Sequence, residues 1–223
     1  MPSLQLYDKL LQFPMFQGMS HEDLLQLVAH TKFDFSKHAA GKCVVKEGSV
    51  CNQLHFLVNG HLLVETRSDD NAYRVVEQLQ APYALQPEAL FGLTQRYSHT
   101  FTAATDTNFI SISKEEVMKL LEDFFIFRLN MLGIYATQSQ KLLHQSWRRH
   151  PESLRERVVR FFVSHCVYPA GAKTFYILMT RLAAEVNDSR LDVSRVLNQL
   201  QAEGHVSLHR GRIEIPLLER MLM

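Results

Sequence analysis

The chain has little cysteine and no long apolar run. Its three cysteines, Cys43, Cys51 and Cys166, are odd in number and form no Cys-x-x-Cys pair. That spacing supports neither a disulfide framework nor a four-cysteine metal or iron–sulfur site. No apolar stretch approaches the roughly 18 residues that cross a bilayer. The opening MPSLQLYDKLLQF has a lysine but no apolar core and no small-residue cleavage site, so no signal peptide is expected. A cytoplasmic protein with no membrane partner is the simplest expectation. An excess of one charge is also missing. The 24 Lys/Arg and 23 Asp/Glu leave +1 over 223 residues. Divided at Pro151, residues 1–150 carry 14 basic and 15 acidic side chains, and residues 151–223 carry 10 and 8. The balances, 14 − 15 = −1 and 10 − 8 = +2, do not advertise nucleic acid. Any DNA-binding case must rest on where the charges sit.

Catalytic patterns are lacking too. No paired carboxylates, nucleophile–base set or phosphate loop falls at a recognisable spacing, so no enzyme is expected. His55 and His61 flank an Asn-Gly pair and His99 lies far off in sequence. Closely spaced histidines with a converging glutamate would be needed for a metal centre. No metal is expected, and these histidines read as solvated or hydrogen-bonded strand residues.

What is present is a globular composition, 46% hydrophobic and 21% charged. Residues 4–30 read as short helices. Ser20 suits an N-cap with Asp23 three residues on, and Leu24, Leu27 and Val28 share a face. From Phe33 to Ser113 the pattern changes to short β-rich runs. Asn59-Gly60 is the strongest hairpin signal among them, and another turn falls near Asp106. Such spacing suggests a jelly roll or barrel.

From Lys114 the period is helical. Ser113 and Glu116 suit a capping box. From Phe124 to about Arg149, Phe125, Leu129, Leu132, Ala136, Ser139, Leu143 and Ser146 follow a 4-3 spacing. That is a heptad seam with small residues toward its C-terminal end. A second line, Met131, Ile134, Tyr135 and Leu142, broadens the stripe. One face would pack on the β-roll and the other on a second copy of the chain, giving a homodimer.

Pro151 suits the first turn of a helix with Leu154, Val158, Phe161 and Phe162 inward. KTFYILM reads as a strand. Thr180 suits the cap of a short helix that buries Leu182, Ala183 and Val186. Asn187-Asp188 reads as a tight turn, since Asn tolerates left-handed backbone. Ser189 caps the next helix, with Asp192 closing a capping box, and Gly204 ends it. Val193, Val196, Leu197 and Leu200 form its buried stripe. Leu191 falls opposite that stripe, with Arg195 and Asn198. HVSLHRGRIEIP reads as a hairpin with Arg210, Gly211 and Arg212 at its tip. Helix, short turn, helix and basic hairpin make a winged helix-turn-helix. Ser189, Arg190, Leu191, Ser194 and Arg195 lie where a recognition helix meets base edges. Thr180, Arg181, Arg210 and Arg212 suit phosphates. The fold class is therefore α+β. It comprises an N-terminal double-stranded β-helix over residues 1–122, a long dimerisation helix over 123–149, and a winged helix-turn-helix over 150–223.

In this order the parts resemble the catabolite-activator/fumarate-nitrate regulator (CRP/FNR) family of bacterial transcription factors. GKCVVKEGSVCNQLHFLVNGHLLV, with Gly48 and Gly60, is similar to the family's first strands. SRLDVSRVLNQLQAEGHV is similar to its recognition helix. The resemblance implies a dimer that binds double-stranded DNA, with RNA polymerase as a further partner. Three base-reading positions of cyclic-AMP-type members fall on Arg190, Leu191 and Arg195. The middle one is a glutamate in those members, so Leu191 implies a different DNA site. In nucleotide-binding members a Gly-Glu pair and a following Arg-Ser hold the cyclic phosphate and ribose. The matching stretch is YALQPEALFGLTQRYSHTFTAA. Gln86 or Pro87 stands where the glutamate would be, and Ser98-His99-Thr100 occupies the Arg-Ser region. Tyr83, Gln86, Glu88, Ser98, His99 and Thr100 are the effector-pocket candidates. With Arg96 placed in the loop and Pro87 lacking an N–H, cyclic nucleotide is not the expected effector. No cysteine precedes Cys43, so the cluster motif of oxygen-sensing members is absent. A haem held by histidine or cysteine stays open. The leading expectation is a DNA-binding regulator with an unidentified signal. The alternative is a ligand sensor whose winged helix contacts protein rather than DNA.

Overall fold

The computed structural model describes residues 2–145 and 147–222. Helix α1 (Pro2–Leu10), a 3-10 turn (Pro14–Phe16) and α2 (His21–His30) lead into β1 (Phe33–His38), β2 (Cys43–Val45), β3 (Gln53–Asn59) and β4 (His61–Arg67). Strands β5 (Arg74–Gln80) and β6 (Tyr83–Leu85) follow, then a 3-10 turn (Pro87–Ala89), β7 (Thr100–Ala103) and β8 (Thr107–Ser113). Next come α3 (Lys114–Asp123), α4 (Phe125–Gln145) and α5 (Leu154–Ser164). The chain ends with β9 (Lys173–Tyr176), α6 (Met179–Glu185), α7 (Arg190–Ala202), β10 (Ser207–His209), β11 (Arg212–Ile215) and a 3-10 turn (Leu218–Leu222). Two compact units interleave along the sequence. One holds Met1–Leu62, Gln80–Ser98 and Ala103–Arg148. The other holds Leu63–Leu79, His99–Thr102 and Arg149–Met223.

In the first unit an antiparallel sheet runs β1-β8-β3-β6. Leu54 and Phe56 of β3 pair with Ile112 and Ile110 of β8, and all four are buried. Phe13 and Phe16 pack on Phe56 with tilted rings, centroids 4.8 and 5.5 Å away. Phe16 also meets Phe127 of α4 at 5.3 Å, so aromatic packing seats the start of the long helix on the sheet. Ser20 caps α2 by accepting the Asp23 N–H. Ser113 caps α3 by accepting the Glu116 N–H. The Glu116 carboxylate accepts the Lys32 N–H and pairs with Lys119. The expected capping box is thus half made, because a long-range donor takes the carboxylate.

The expected hairpin at Asn59-Gly60 is corrected. Strand β3 lies beside β8 and β6, whereas β4 lies beside β5 and β7 in another sheet. The turn is a corner between sheets, not a hairpin. A side chain at Gly60 would also put its Cβ 2.5 Å from the Asp106 carbonyl at φ +96°, so glycine is required there.

In the second unit, β10, β11, β9, β5 and β4 lie in that order. Strand β5 pairs antiparallel with β9, Val75 opposite Phe175 and Glu77 opposite Lys173. The wing sheet is thereby extended by a strand from far earlier in the sequence. Val75, Val158, Phe162, Phe175, Leu182, Val193 and Leu197 share one core. Glu77 and Lys173 form an ion pair at 2.8 Å with both side chains fully buried. Glu77 also accepts the N–H groups of Val167 and Tyr168, which satisfies its remaining oxygen capacity. Pro151, expected in the first turn of this helix, instead lies before α5, which begins at Leu154. Ser153 is the N-cap and accepts the Glu156 N–H. A serine acceptor two residues further on takes the cap, so the helix starts after the proline rather than at it.

Candidate nucleic-acid interface and effector region

Helix α7 is positioned by its own sequence and by α5. Ser189 sits in extended backbone and accepts the Asp192 N–H at 3.1 Å. The Asp192 carboxylate accepts the Ser189 hydroxyl at 2.6 Å. The Ser189 N–H donates to Asp188, so Asp192 does not reach back to it, and the expected capping box closes through the hydroxyl. Asn187 adopts φ +51°, the left-handed turn expected at Asn187-Asp188. Arg157 of α5 donates to the Val186 carbonyl at 3.0 Å and pairs with Asp188. Arg155 grips Glu203 through two bonds of 2.8 and 2.5 Å. These pairs tie α5 to the turn between α6 and α7 and to the end of α7. At the far end the His205 N–H bonds the Leu200 carbonyl while Gly204 takes φ +77°, the stop expected there.

The faces of α7 separate cleanly. Val193, Leu197 and Leu200 are buried and Val196 is half-buried. Leu191 is 71% exposed, with Arg190, Arg195 and Asn198 exposed beside it and Ser194 half-buried. Arg195 pairs with Asp192 at 2.8 Å on this outer face. Arg210 is exposed in the turn before β11. Arg212 opens β11 and lies 3.2 Å from Glu214. A cleft of about 360 Å³ runs between wing and helix, lined by Leu178, Thr180, Arg190, Leu208, Arg210 and Gly211 among others.

Two of the expected phosphate contacts differ from the sequence reading. Thr180 is exposed but does not cap α6; Leu178 holds that position and makes no side-chain cap. Leu178 is in extended backbone, and the helix starts at Met179, two residues earlier than a Thr180 cap would place it. Arg181 is half-buried and already paired. Its guanidinium lies 2.9 Å from Asp70 and 2.6 Å from Glu185, and 5.8 Å from the Tyr73 ring centroid. Asp70 and Tyr73 lie in the β4–β5 connection, far away in sequence, and no local pattern pointed to them.

The effector candidates lie in different surroundings. Tyr83 belongs to β6. Gln86 is buried in left-handed backbone at φ +37°. Its carbonyl oxygen accepts the Ser98 N–H at 3.1 Å, and its amide donates to the Ser98 hydroxyl at 2.5 Å and to Glu88 at 3.4 Å. Arg96 donates to the Gly48 carbonyl, in the loop where it was expected. His99 bonds Thr66 at 2.9 Å, and Thr100 opens β7. The Tyr135 hydroxyl of α4 donates to the Pro87 carbonyl at 3.0 Å, and burial pushes that phenol up to about 12, so it stays a donor at neutral pH.

Along α4 the two expected lines part. Phe125, Leu129, Leu132, Ala136, Ser139 and Leu143 are all exposed. Phe127 and Met131 are buried, and Ile134 and Tyr135 half-buried. Leu142, expected with them, is exposed. Ser146 lies outside the described residues. A groove of about 840 Å³ follows the exposed seam past Pro14, Leu129, Leu132, Ala136 and Thr137. Among the described residues no helix is long and apolar enough to cross a membrane, and no three His, Cys, Asp or Glu side chains group closely enough to hold a metal ion.

Residues 36–124 match the cyclic nucleotide-binding domain family. The potassium channel SKOR of Arabidopsis thaliana is 28% identical over 113 residues, half of this chain and 13% of the channel's length. Catabolite activator protein from Thermus thermophilus superposes with a TM-score of 0.51 at 21% identity, covering 94% of this chain and 97% of that one. A protein described as a CRP/FNR-family transcriptional regulator from Eubacterium rectale gives 0.52 at 19%, covering 95% and 97%. The sensor domain of the transcriptional regulator DNR from Pseudomonas aeruginosa gives 0.54 at 17%, covering 68% and 97%. The chain is of the class that joins a cyclic-nucleotide-binding-type β-roll to a winged helix-turn-helix. Within that class it has the fold of the CRP/FNR transcription regulators, and the resemblance read from its motifs is borne out.

Proposed function

We propose that the chain is a homodimeric, sequence-specific regulator of transcription that binds double-stranded DNA. The observation that carries this reading is the outer face of α7. A capped helix with one side in the core displays Arg190, Leu191 and Arg195 together to solvent. An exposed leucine between arginines has no packing role, but it matches a thymine methyl flanked by guanine O6/N7 edges in a major groove. Thr180, Ser189, Ser194, Arg210 and Arg212 border the same surface and would engage the backbone and groove edges. The exposed seam of α4 supports a second copy as its cover. Two α7 helices related by a dyad then fit half-sites about one DNA turn apart.

In this reading residues 1–122 receive the signal, residues 123–149 pair the subunits and residues 150–223 read DNA, with RNA polymerase as the protein partner at promoters. The Gln86–Ser98 pair supports a signal other than a cyclic nucleotide, because the groups that would meet a phosphodiester already satisfy one another. Selection of duplexes from a random pool, followed by footprinting and a salt titration, tests the function. A near-palindromic site with affinity falling steeply in salt is expected. Absence of sequence-dependent protection would leave the winged helix as a protein-contact surface instead.

A further inference from the structure

The β4–β5 connection belongs to the same compact unit as the winged helix, and it places an acidic side chain on an arginine of the helix-turn-helix. The connection is internally hydrogen-bonded. The Ser68 N–H bonds the Tyr73 carbonyl and the Asn71 N–H bonds the Ser68 carbonyl. The two oxygens of Asp70 have separate tasks. Oδ1 accepts the Ser68 hydroxyl at 2.7 Å and the Ala72 N–H at 3.1 Å. Oδ2 faces the Arg181 guanidinium at 2.9 Å. Glu185 closes on Arg181 from its own helix at 2.6 Å, and the Tyr73 ring lies beneath it. Tyr73 is itself packed edge-on against Phe161 and His165. Strand β5 is anchored to β9 by ladder bonds and by the buried Glu77–Lys173 pair. Arg181 therefore rests in a ready-made carboxylate and aromatic cage.

We propose that the β4–β5 connection is an autoinhibitory latch, in which Asp70 occupies Arg181 and keeps it from a DNA phosphate. The latch rests on the DNA-binding reading above and concerns regulation of that surface. A carboxylate within ion-pair distance competes directly with a phosphate for the same guanidinium, and its charge repels the incoming backbone. Releasing Asp70 removes one of the two carboxylates on Arg181 and leaves its i,i+4 partner Glu185, so the guanidinium gains capacity for a DNA phosphate. The pair is solvent-accessible, so its worth is small and reversible, which suits a modulating contact.

The test uses full-length protein, a fluorescent duplex selected from a random pool, and anisotropy over a range of salt. Asp70→Asn should bind about two- to fivefold tighter than wild type, with log affinity falling more steeply in log salt by about 0.9. Arg181→Ala should change little alone and should abolish the gain when combined with Asp70→Asn. Asp69→Asn removes the same charge one residue away and leaves the Asp70–Arg181 pair in place, so it should give a much smaller gain. Unchanged affinity and slope in Asp70→Asn overturn the latch, as does a gain that survives Arg181→Ala or is matched by Asp69→Asn. These outcomes leave the DNA-binding reading standing. If neither wild type nor Asp70→Asn enriches any sequence, the function and the latch are both overturned.

Discussion

The Gln86 carboxamide and Ser98 satisfy one another at both ends, carbonyl to N–H at 3.1 Å and amide to hydroxyl at 2.5 Å. A cyclic phosphate would have to displace that pair, and Arg96 lies exposed in the loop with one N–H donated to the Gly48 carbonyl. Glu88, also bonded to the Gln86 amide, adds a repelling charge. Titration calorimetry with cyclic AMP or cyclic GMP should give no saturable heat. A micromolar isotherm would show that the pair opens and that this side of the reading is wrong.

Leu191 should set the DNA sequence that is preferred. Leu191→Glu replaces a methyl-seeking group by an acceptor suited to a cytosine N4 amine. Selection from a random pool should then change one position of each half-site and leave the rest. Arg195→Ala should cost about 1–3 kcal/mol and relax specificity at one base pair. Equal weakening on all sequences would make Arg195 a phosphate contact.

The seam of α4 should decide the oligomeric state. Leu129 and Leu132 are exposed on the single chain, so a charge there costs the fold little. Leu129→Glu with Leu132→Glu should sediment as a monomer, keep its circular dichroism and lose DNA affinity by removing the second half-site. A dimer that persists would place the interface elsewhere.

Burial depresses the His55 imidazole to about 4, with nearby His38 as the lesser cause. Its Nδ1 lies 2.7 Å from the Ser111 hydroxyl, and it is packed near Tyr97 and Phe109. Unfolded, the ring titrates near 6.5. Between these values the unfolded chain binds the extra proton, so stability falls with pH from about 6.5 to about 4 and is flat above that window as far as this group is concerned. The effect is on the order of a few kcal/mol. His55→Gln should flatten the denaturation midpoint across that range, and an unaltered pH profile would remove His55 as its source.

Much of the candidate interface on α7 was legible because its determinants are local. Ser189, Asn187 and Gly204 declare their cap, turn and stop within a few residues, and the period of Val193, Leu197 and Leu200 assigns the outer face to Leu191. Local signals failed where distant strands decide. Asn59-Gly60 has hairpin chemistry, but β3 and β4 pair with different neighbours, so the same turn becomes a corner. Arg181 has the position of a phosphate contact, but Asp70 and Tyr73 reach it from the β4–β5 connection. Neither pairing leaves a periodic trace in the chain.

The same non-local logic governs stability at Glu77 and Lys173. Both side chains are fully buried, and Glu77 also holds the Val167 and Tyr168 N–H groups. Glu77→Ala strands a buried ammonium and two backbone donors, and should cost about 3–5 kcal/mol by chemical denaturation. Glu77→Leu with Lys173→Met removes both charges and refills the volume. Much of the loss should return, because an apolar pair of similar size is often as stable as a buried ion pair. The orphaned N–H groups should keep the recovery incomplete by about 1–3 kcal/mol. Full recovery would mean that the carboxylate's role is the ion pair alone. No recovery would assign the cost to the backbone bonds that hold the segment after α5.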